Sequence, residues 1–246
     1  MFFNVLLFNV LLCGAGLIAA AIAAVTGFGI GSLLMPVLGI EVGTKLAVAA
    51  VAIPHLVGSA QRFWILRRHV ERRVVLGFGV MSAIGGLIGA LLYARVSSHA
   101  LGIVFGALLV LAGISELTGW MGRVRWGRRG AWVAGAVSGV LGGLVGNQGG
   151  IRSASMLGFD VPKESFVATA TAIALFVDCA RLPVYLVTQG REIAGIWPLL
   201  LIATVGVVIG TLVGTRLLVR LPQRAFRRVV AVLLLLLGVY MITVGG

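Results

Sequence analysis

Apolar segments long enough to cross a lipid bilayer fill nearly all of this chain, and clusters of arginine separate them. Crossing ~30 Å of hydrocarbon takes about 20 residues of helix. Eight blocks meet or approach that length: 2–25 with a continuation to 40, 44–66, 74–94, 100–119, 131–158, 165–188, 195–219 and 225–245. In hydrocarbon every backbone polar group needs an internal partner, so only helices and closed barrels span. The period-two alternation of a barrel is absent, and the pattern predicts an all-α integral membrane protein. With 60% hydrophobic and 11% charged residues, nothing is left over for a soluble domain. The first 25 residues lack a basic start, and they are expected to remain as a membrane segment.

The chain repeats itself at a spacing of 119 residues. Gly27-Phe28-Gly29-Ile30-Gly31-Ser32 leads through Leu38 and Gly39 to Arg62, and Gly146-Asn147-Gln148-Gly149-Gly150 leads through Leu157 and Gly158 to Arg181. Leucine and alanine matches come freely in such a composition. Paired glycines and a paired arginine do not, because neither is cheap inside a lipid-facing helix. The predicted organisation is a first transmembrane repeat over 1–120, a basic cytoplasmic linker over 121–130 carrying Arg123, Arg125, Arg128 and Arg129, and a second repeat over 131–246.

The net charge of +13 is carried mostly by arginines at the ends of apolar blocks, so topology explains it better than nucleic acid does. Arg67, Arg68, Arg72 and Arg73 follow block two, whereas the matching loop after block six has Arg191 balanced by Glu192. After block three stands Arg95; after block seven stand Arg216, Arg220, Arg224, Arg227 and Arg228. The bias reverses between the halves, which predicts an inverted repeat. Inversion needs an odd number of crossings in each half, so blocks one and five are expected to be broken or re-entrant hairpins. Their glycines permit such breaks, and the backbone groups freed there must meet protein, water or ligand.

Half-helix N-termini expose N–H groups and partial positive charge, so two breaks meeting near the midplane would suit an anion. The candidate binding residues are Gly27, Gly29, Gly31 and Ser32 in the first break, and Gly146, Asn147, Gln148, Gly149, Gly150, Arg152 and Ser153 in the second. Arg152 is favoured because a guanidinium grips an oxyanion through two parallel hydrogen bonds. The bland alternative is that it snorkels to the membrane surface. Asp178 and Arg181, three apart, share a helix face and can pair either structurally or as a gating or coupling element. Arg62 has Ser59 in place of the acid and is expected toward the cytoplasmic end of its block. His55 is a candidate proton relay, against the commoner role of a hydrogen-bonded packing residue.

Several other signals weigh less. Gly206, Gly210 and Gly214, with Gly135 and Gly139, predict close helix packing inside the chain, the alternative being a homodimer interface. Cys13 and Cys179 read as packing residues, without a metal spacing. The glycines at 27, 29 and 31 match a nucleotide fingerprint only weakly and have no strand or downstream acid. Neither a catalytic constellation nor a cofactor motif is present.

Gly27-Phe28-Gly29-Ile30-Gly31 followed by Pro36-Val37-Leu38, with a second glycine-rich copy from Gly142 to Leu157, resembles the sulfite exporter TauE/SafE family. The second copy departs from the first in Ser155 at the place of Pro36, and in Asn147, Gln148 and Arg152. The resemblance spans the chain and implies a multi-pass carrier of the bacterial inner membrane that exports sulfite, sulfonates or related small sulfur-containing anions. The expected partners are therefore a small anionic substrate, the lipid bilayer and a coupling H+ or Na+. An anion channel and a membrane scaffold or assembly protein without transport are the competing readings.

Overall fold

The computed structural model describes residues 2–119, 128–146, 149, 152, 162–217 and 223–243. Among these, regular structure is helical throughout. In the first half, α1 (Phe2–Thr26), α2 (Ile30–Val42), α3 (Thr44–Ala50) and α4 (Ala52–Leu66) are followed by α5 (Arg72–Val74), α6 (Val80–Tyr93) and α7 (Ser98–Thr118). The second half comprises α8 (Arg128–Val145), α9 (Lys163–Gly195), α10 (Trp197–Leu217) and α11 (Gln223–Thr243).

Among the described residues, six stretches are long and apolar enough to cross a membrane: Val5–Thr26, Thr44–His69, Arg72–Tyr93, Ser98–Ser115, Glu164–Gly195 and Trp197–Arg216. Three apolar helices are shorter, Ile30–Val42, Gly130–Val145 and Ala231–Thr243. Large hydrophobic side chains such as Leu6, Leu76, Val187 and Leu236 face outward, as they do when the surrounding solvent is lipid.

Local chemistry sets the interruptions. Block one breaks at Gly27 and Gly29, whose φ angles of 82° and 139° exclude most side chains. Thr26 ties the break together: its hydroxyl accepts from the Phe28 amide and donates to the carbonyls of Ile22 and Phe28. Gly43, at φ 79°, turns α2 into α3, so that Gly39 faces Ala47 across a tight hairpin. Block two bends at Val51, three residues before Pro54, whose ring cannot donate to the turn behind it. A π-helical turn over Val75–Gly79 joins α5 to α6.

The expected loop between blocks six and seven is absent. α9 continues to Gly195, with Gln189 alone leaving helical geometry (φ −134°, ψ 15°). Burial of Ile193 keeps this last stretch helical through Arg191 and Glu192.

The helices pair reciprocally. α6 packs on α8, and α1 on α10. Small residues make both contacts: a Cβ at Gly139 would lie 2.1 Å from the Ser82 carbonyl oxygen, and one at Gly210 would lie 2.1 Å from that of Leu17. Gly206 and Gly214 meet Cys13 and Ala21, and Gly135 meets Phe78, so these glycines serve packing within the chain. Ser82 adds a 2.9 Å hydrogen bond to the Gly135 carbonyl.

Both of these pairs run parallel, since contacts advance together along the two helices. α4 and α9 run antiparallel: His55 meets Asp178 while Arg62 meets Thr171. α7 and α11 are also antiparallel, with Gly106 against Gly238 and Ile242, and Gly113 against Ala231 and Leu235. Cys13 is half-buried at the α1–α10 contact, but Cys179 is exposed on the outer face of α9. Its expected packing role is therefore incorrect: Asp178 beside it takes the inward position on the helix.

Candidate functional site

The two glycine breaks meet inside the protein. Gly31, at the start of α2, stands against the Gly146 carbonyl so closely that a Cβ there would lie 2.6 Å from the oxygen. Gly146 ends α8 with φ 73°. Gly149 is helical and packs on Phe28, where a Cβ would come within 2.3 Å of the ring-bearing carbon. Ser32 is buried beside them. Asn147, Gln148, Gly150 and Ser153 lie outside the described residues, as do Ser155 and most of the expected linker.

Arg152 is 1% exposed and enclosed by protein, which rules out snorkelling to the surface. Its Nη2 donates to the Gly27 carbonyl at 3.0 Å, tying the second break to the first across 125 residues of sequence. Its Nε and Nη1 are buried and have no hydrogen-bond acceptor among the described residues. A buried donor without an acceptor is costly, by about 1–3 kcal/mol and more when charged. Two such donor atoms on one guanidinium are unusual in a folded protein.

Arg62 is equally buried, at 1% exposure, and so is enclosed by protein. Its Nε donates to Thr171 Oγ1 at 3.0 Å, its Nη2 to Ser59 Oγ at 3.5 Å, and its Nη1 has no acceptor. Thr171 passes its own proton to the Val167 carbonyl. The same turn of α9 carries Val167 and Ala170, against which Gly27 packs. The anchors of Arg62 and Arg152 therefore stand within one helical turn of each other.

Asp178 lies seven residues further along α9, about 10 Å at the usual rise. Arg181 Nε and Nη2 reach its Oδ1 at 3.0 and 2.8 Å, and His55 Nδ1 reaches Oδ2 at 2.6 Å. A carboxylate only accepts, so Nδ1 is the donor of that contact. Arg181 Nη1 also donates to the Gly142 carbonyl at 2.6 Å, and the Tyr185 hydroxyl donates to Gly143. Two carbonyls of the last turn of α8 thus have donors on α9, that of Gly142 in addition to the Gly146 amide.

Sequence reasoning identified Arg62, Arg152, Asp178, Arg181 and His55, and the structure gathers them around the two breaks. It missed Thr171 and Tyr185. The signal was present, since Thr171, Asp178, Arg181 and Tyr185 fall at helical spacing on one face of α9.

The family model of the sulfite exporter TauE/SafE matches residues 12–241, nearly the whole chain. The chain belongs to that family. No curated protein and no solved structure matches it in turn. TauE/SafE is a family of membrane transporters, and membership agrees with the multi-pass helical architecture. In this TauE/SafE member, three buried guanidiniums face a single buried carboxylate among the described residues, leaving two positive charges without an internal partner.

Proposed function

We propose that this protein is a secondary active exporter of small sulfur-containing oxyanions, such as sulfite or organosulfonates, in the bacterial inner membrane. The observation that carries the reading is the buried Arg152, held at the junction of the two breaks with Nε and Nη1 lacking an acceptor among the described residues. An oxyanion supplies the acceptors and the negative charge together, and a guanidinium fork suits its geometry. A scaffold protein would have no use for such a group, whose burial costs several kcal/mol.

Alternating access would follow from two inverted repeats. Helices equivalent under the 119-residue spacing cross antiparallel, α4 with α9 and α7 with α11, which supports a two-fold relation lying in the membrane plane. The exchange of partners, α1 with α10 and α8 with α6, supports it as well. Rocking one repeat against the other would expose the site between them to each side in turn. In this reading Gly27, Gly29, Gly31 and Ser32 shape one wall and Gly146, Gly149 and Arg152 the other. His55, Asp178 and Arg181 form the coupling element, where a proton is the ion their chemistry favours over Na+.

The test is substrate-dependent flux in proteoliposomes for sulfite, a two-carbon sulfonate, sulfate and chloride, with and without an imposed pH gradient. Saturable, gradient-stimulated flux of a sulfur oxyanion that collapses in Arg152→Lys supports the carrier. Lysine keeps the charge and loses the fork. Single-channel currents, or flux of none of these anions, would overturn it.

A further inference from the structure

The two repeats treat their shared arginine differently. Arg62 and Arg181 are equivalent positions, and the residue three before each is Ser59 in one repeat and Asp178 in the other. In the second repeat Asp178 neutralises Arg181 with contacts of 3.0 and 2.8 Å. In the first, Ser59 Oγ stands 3.5 Å from Arg62 Nη2 and brings no charge. Arg62 therefore keeps its full positive charge and an unanswered Nη1, although it is 1% exposed.

We propose that Arg62 is the second arm of the anion site and that it selects divalent over monovalent sulfur oxyanions. The proposal rests on the carrier reading above and adds the charge of its substrate. Three observations place Arg62 with Arg152. Both are enclosed by protein, each has buried N–H groups without an acceptor, and their anchors, Thr171 and Gly27, meet the same turn of α9. Asp178 cannot serve as counter-ion to both, because Arg181 and His55 occupy its two oxygens.

Neither guanidinium has a counter-charge of its own among the described residues, and in a low-dielectric interior the two call for two negative charges. A monovalent sulfonate answers one and leaves the other buried with like charge beside it. A dianion such as sulfite or thiosulfate answers both, with an oxygen for Arg62 Nη1 and others for Arg152 Nε and Nη1. Arg62 and Arg152 come from opposite repeats, so a bound dianion would also bridge the two parts that carriers of this kind move against each other.

The experiment compares thiosulfate and methanesulfonate flux in proteoliposomes at equal driving force, for wild type, Arg62→Gln, Arg62→Lys and Ser59→Asp. Wild type should favour the dianion by about tenfold or more, the usual scale of one charged hydrogen bond. Arg62→Gln should abolish that preference by lowering thiosulfate flux about tenfold more than methanesulfonate flux. Ser59→Asp, which copies the Asp178–Arg181 spacing into the first repeat, should do the same without removing the arginine. Arg62→Lys should retain the preference. Monodisperse size-exclusion elution and an unchanged helical circular-dichroism signal report that the variants are folded.

If wild type shows no preference, or if Arg62→Gln and Ser59→Asp lower both fluxes equally, the charge-selective role is overturned while the carrier stands. Absence of flux for every sulfur oxyanion in wild type overturns both.

Discussion

His55 Nδ1 and Asp178 Oδ2 lie 2.6 Å apart although 123 residues separate them, so this buried contact joins α4 in the first half of the chain to α9 in the second. Asp178 is fully buried and also holds Arg181. Removing it leaves a buried guanidinium without its counter-charge, whereas removing His55 costs one hydrogen bond. Asp178→Ala should destabilise the protein by about 3–5 kcal/mol, and His55→Ala by roughly 1–3 kcal/mol. Asp178→Ala with Arg181→Ala should cost less than the sum of the two single changes. Equilibrium unfolding in detergent measures all three, and additive losses would refute the coupling.

Close approach of α6 and α8 depends on Gly143, where a Cβ would lie 1.9 Å from the Gly86 carbonyl oxygen and 2.7 Å from the Ala90 nitrogen. Backbone on one side and helix on the other leave no room to yield. Gly143→Ala should lower stability by about 1–3 kcal/mol. Gly14→Ala, which has nothing within 4 Å, should be neutral or slightly stabilising. Thermal denaturation midpoints of the two variants should therefore move in different directions or by clearly different amounts.

Gly31→Ala tests the meeting of the two breaks. Its Cβ would lie 2.6 Å from the Gly146 carbonyl oxygen, and the second break must retreat to admit it. Sulfite flux should fall by roughly tenfold, equivalent to about 1.4 kcal/mol of lost binding. The helical signal in circular dichroism should be unchanged. Unchanged flux would show that the contact is incidental to transport.

Parallel packing of α6 with α9, seen in Gly79 against Ile173 and Gly86 against Val177, gives a topology test. If α9 starts on the side where α6 starts, then Arg68 and Arg216 lie on one face of the membrane and His99 and Arg191 on the other. Single cysteines at these positions, in a background lacking Cys13 and Cys179, should react with an impermeant thiol reagent from opposite sides. Positive-inside bias assigns Arg68 and Arg216 to the cytoplasm. Labelling of all four from one side would refute the inverted arrangement.

Much of this molecule was legible in the sequence because lipid imposes so few solutions. Glycines at 27, 29 and 146 read as breaks, and all three have positive φ. Asp178 and Arg181 read as a pair from their spacing, and they are one. The loop after block six was misread because Arg191 and Glu192 look like a polar turn, while the burial of Ile193 that keeps the helix going is a tertiary effect. Cys179 was misread because an apolar block does not reveal which of its faces turns to lipid. The link between Arg62 and Thr171 was invisible for a different reason. It joins positions 109 apart on antiparallel helices, and local spacing carries no information about such a contact.

Oxyanion binding at Arg152 between the two breaks is tested most directly by calorimetric titration of the purified protein with sulfite. Wild type should bind saturably with one site per chain, and Arg152→Gln should weaken binding by roughly tenfold or more while remaining folded. Equal affinity in the two proteins would contradict the assignment of the site to Arg152.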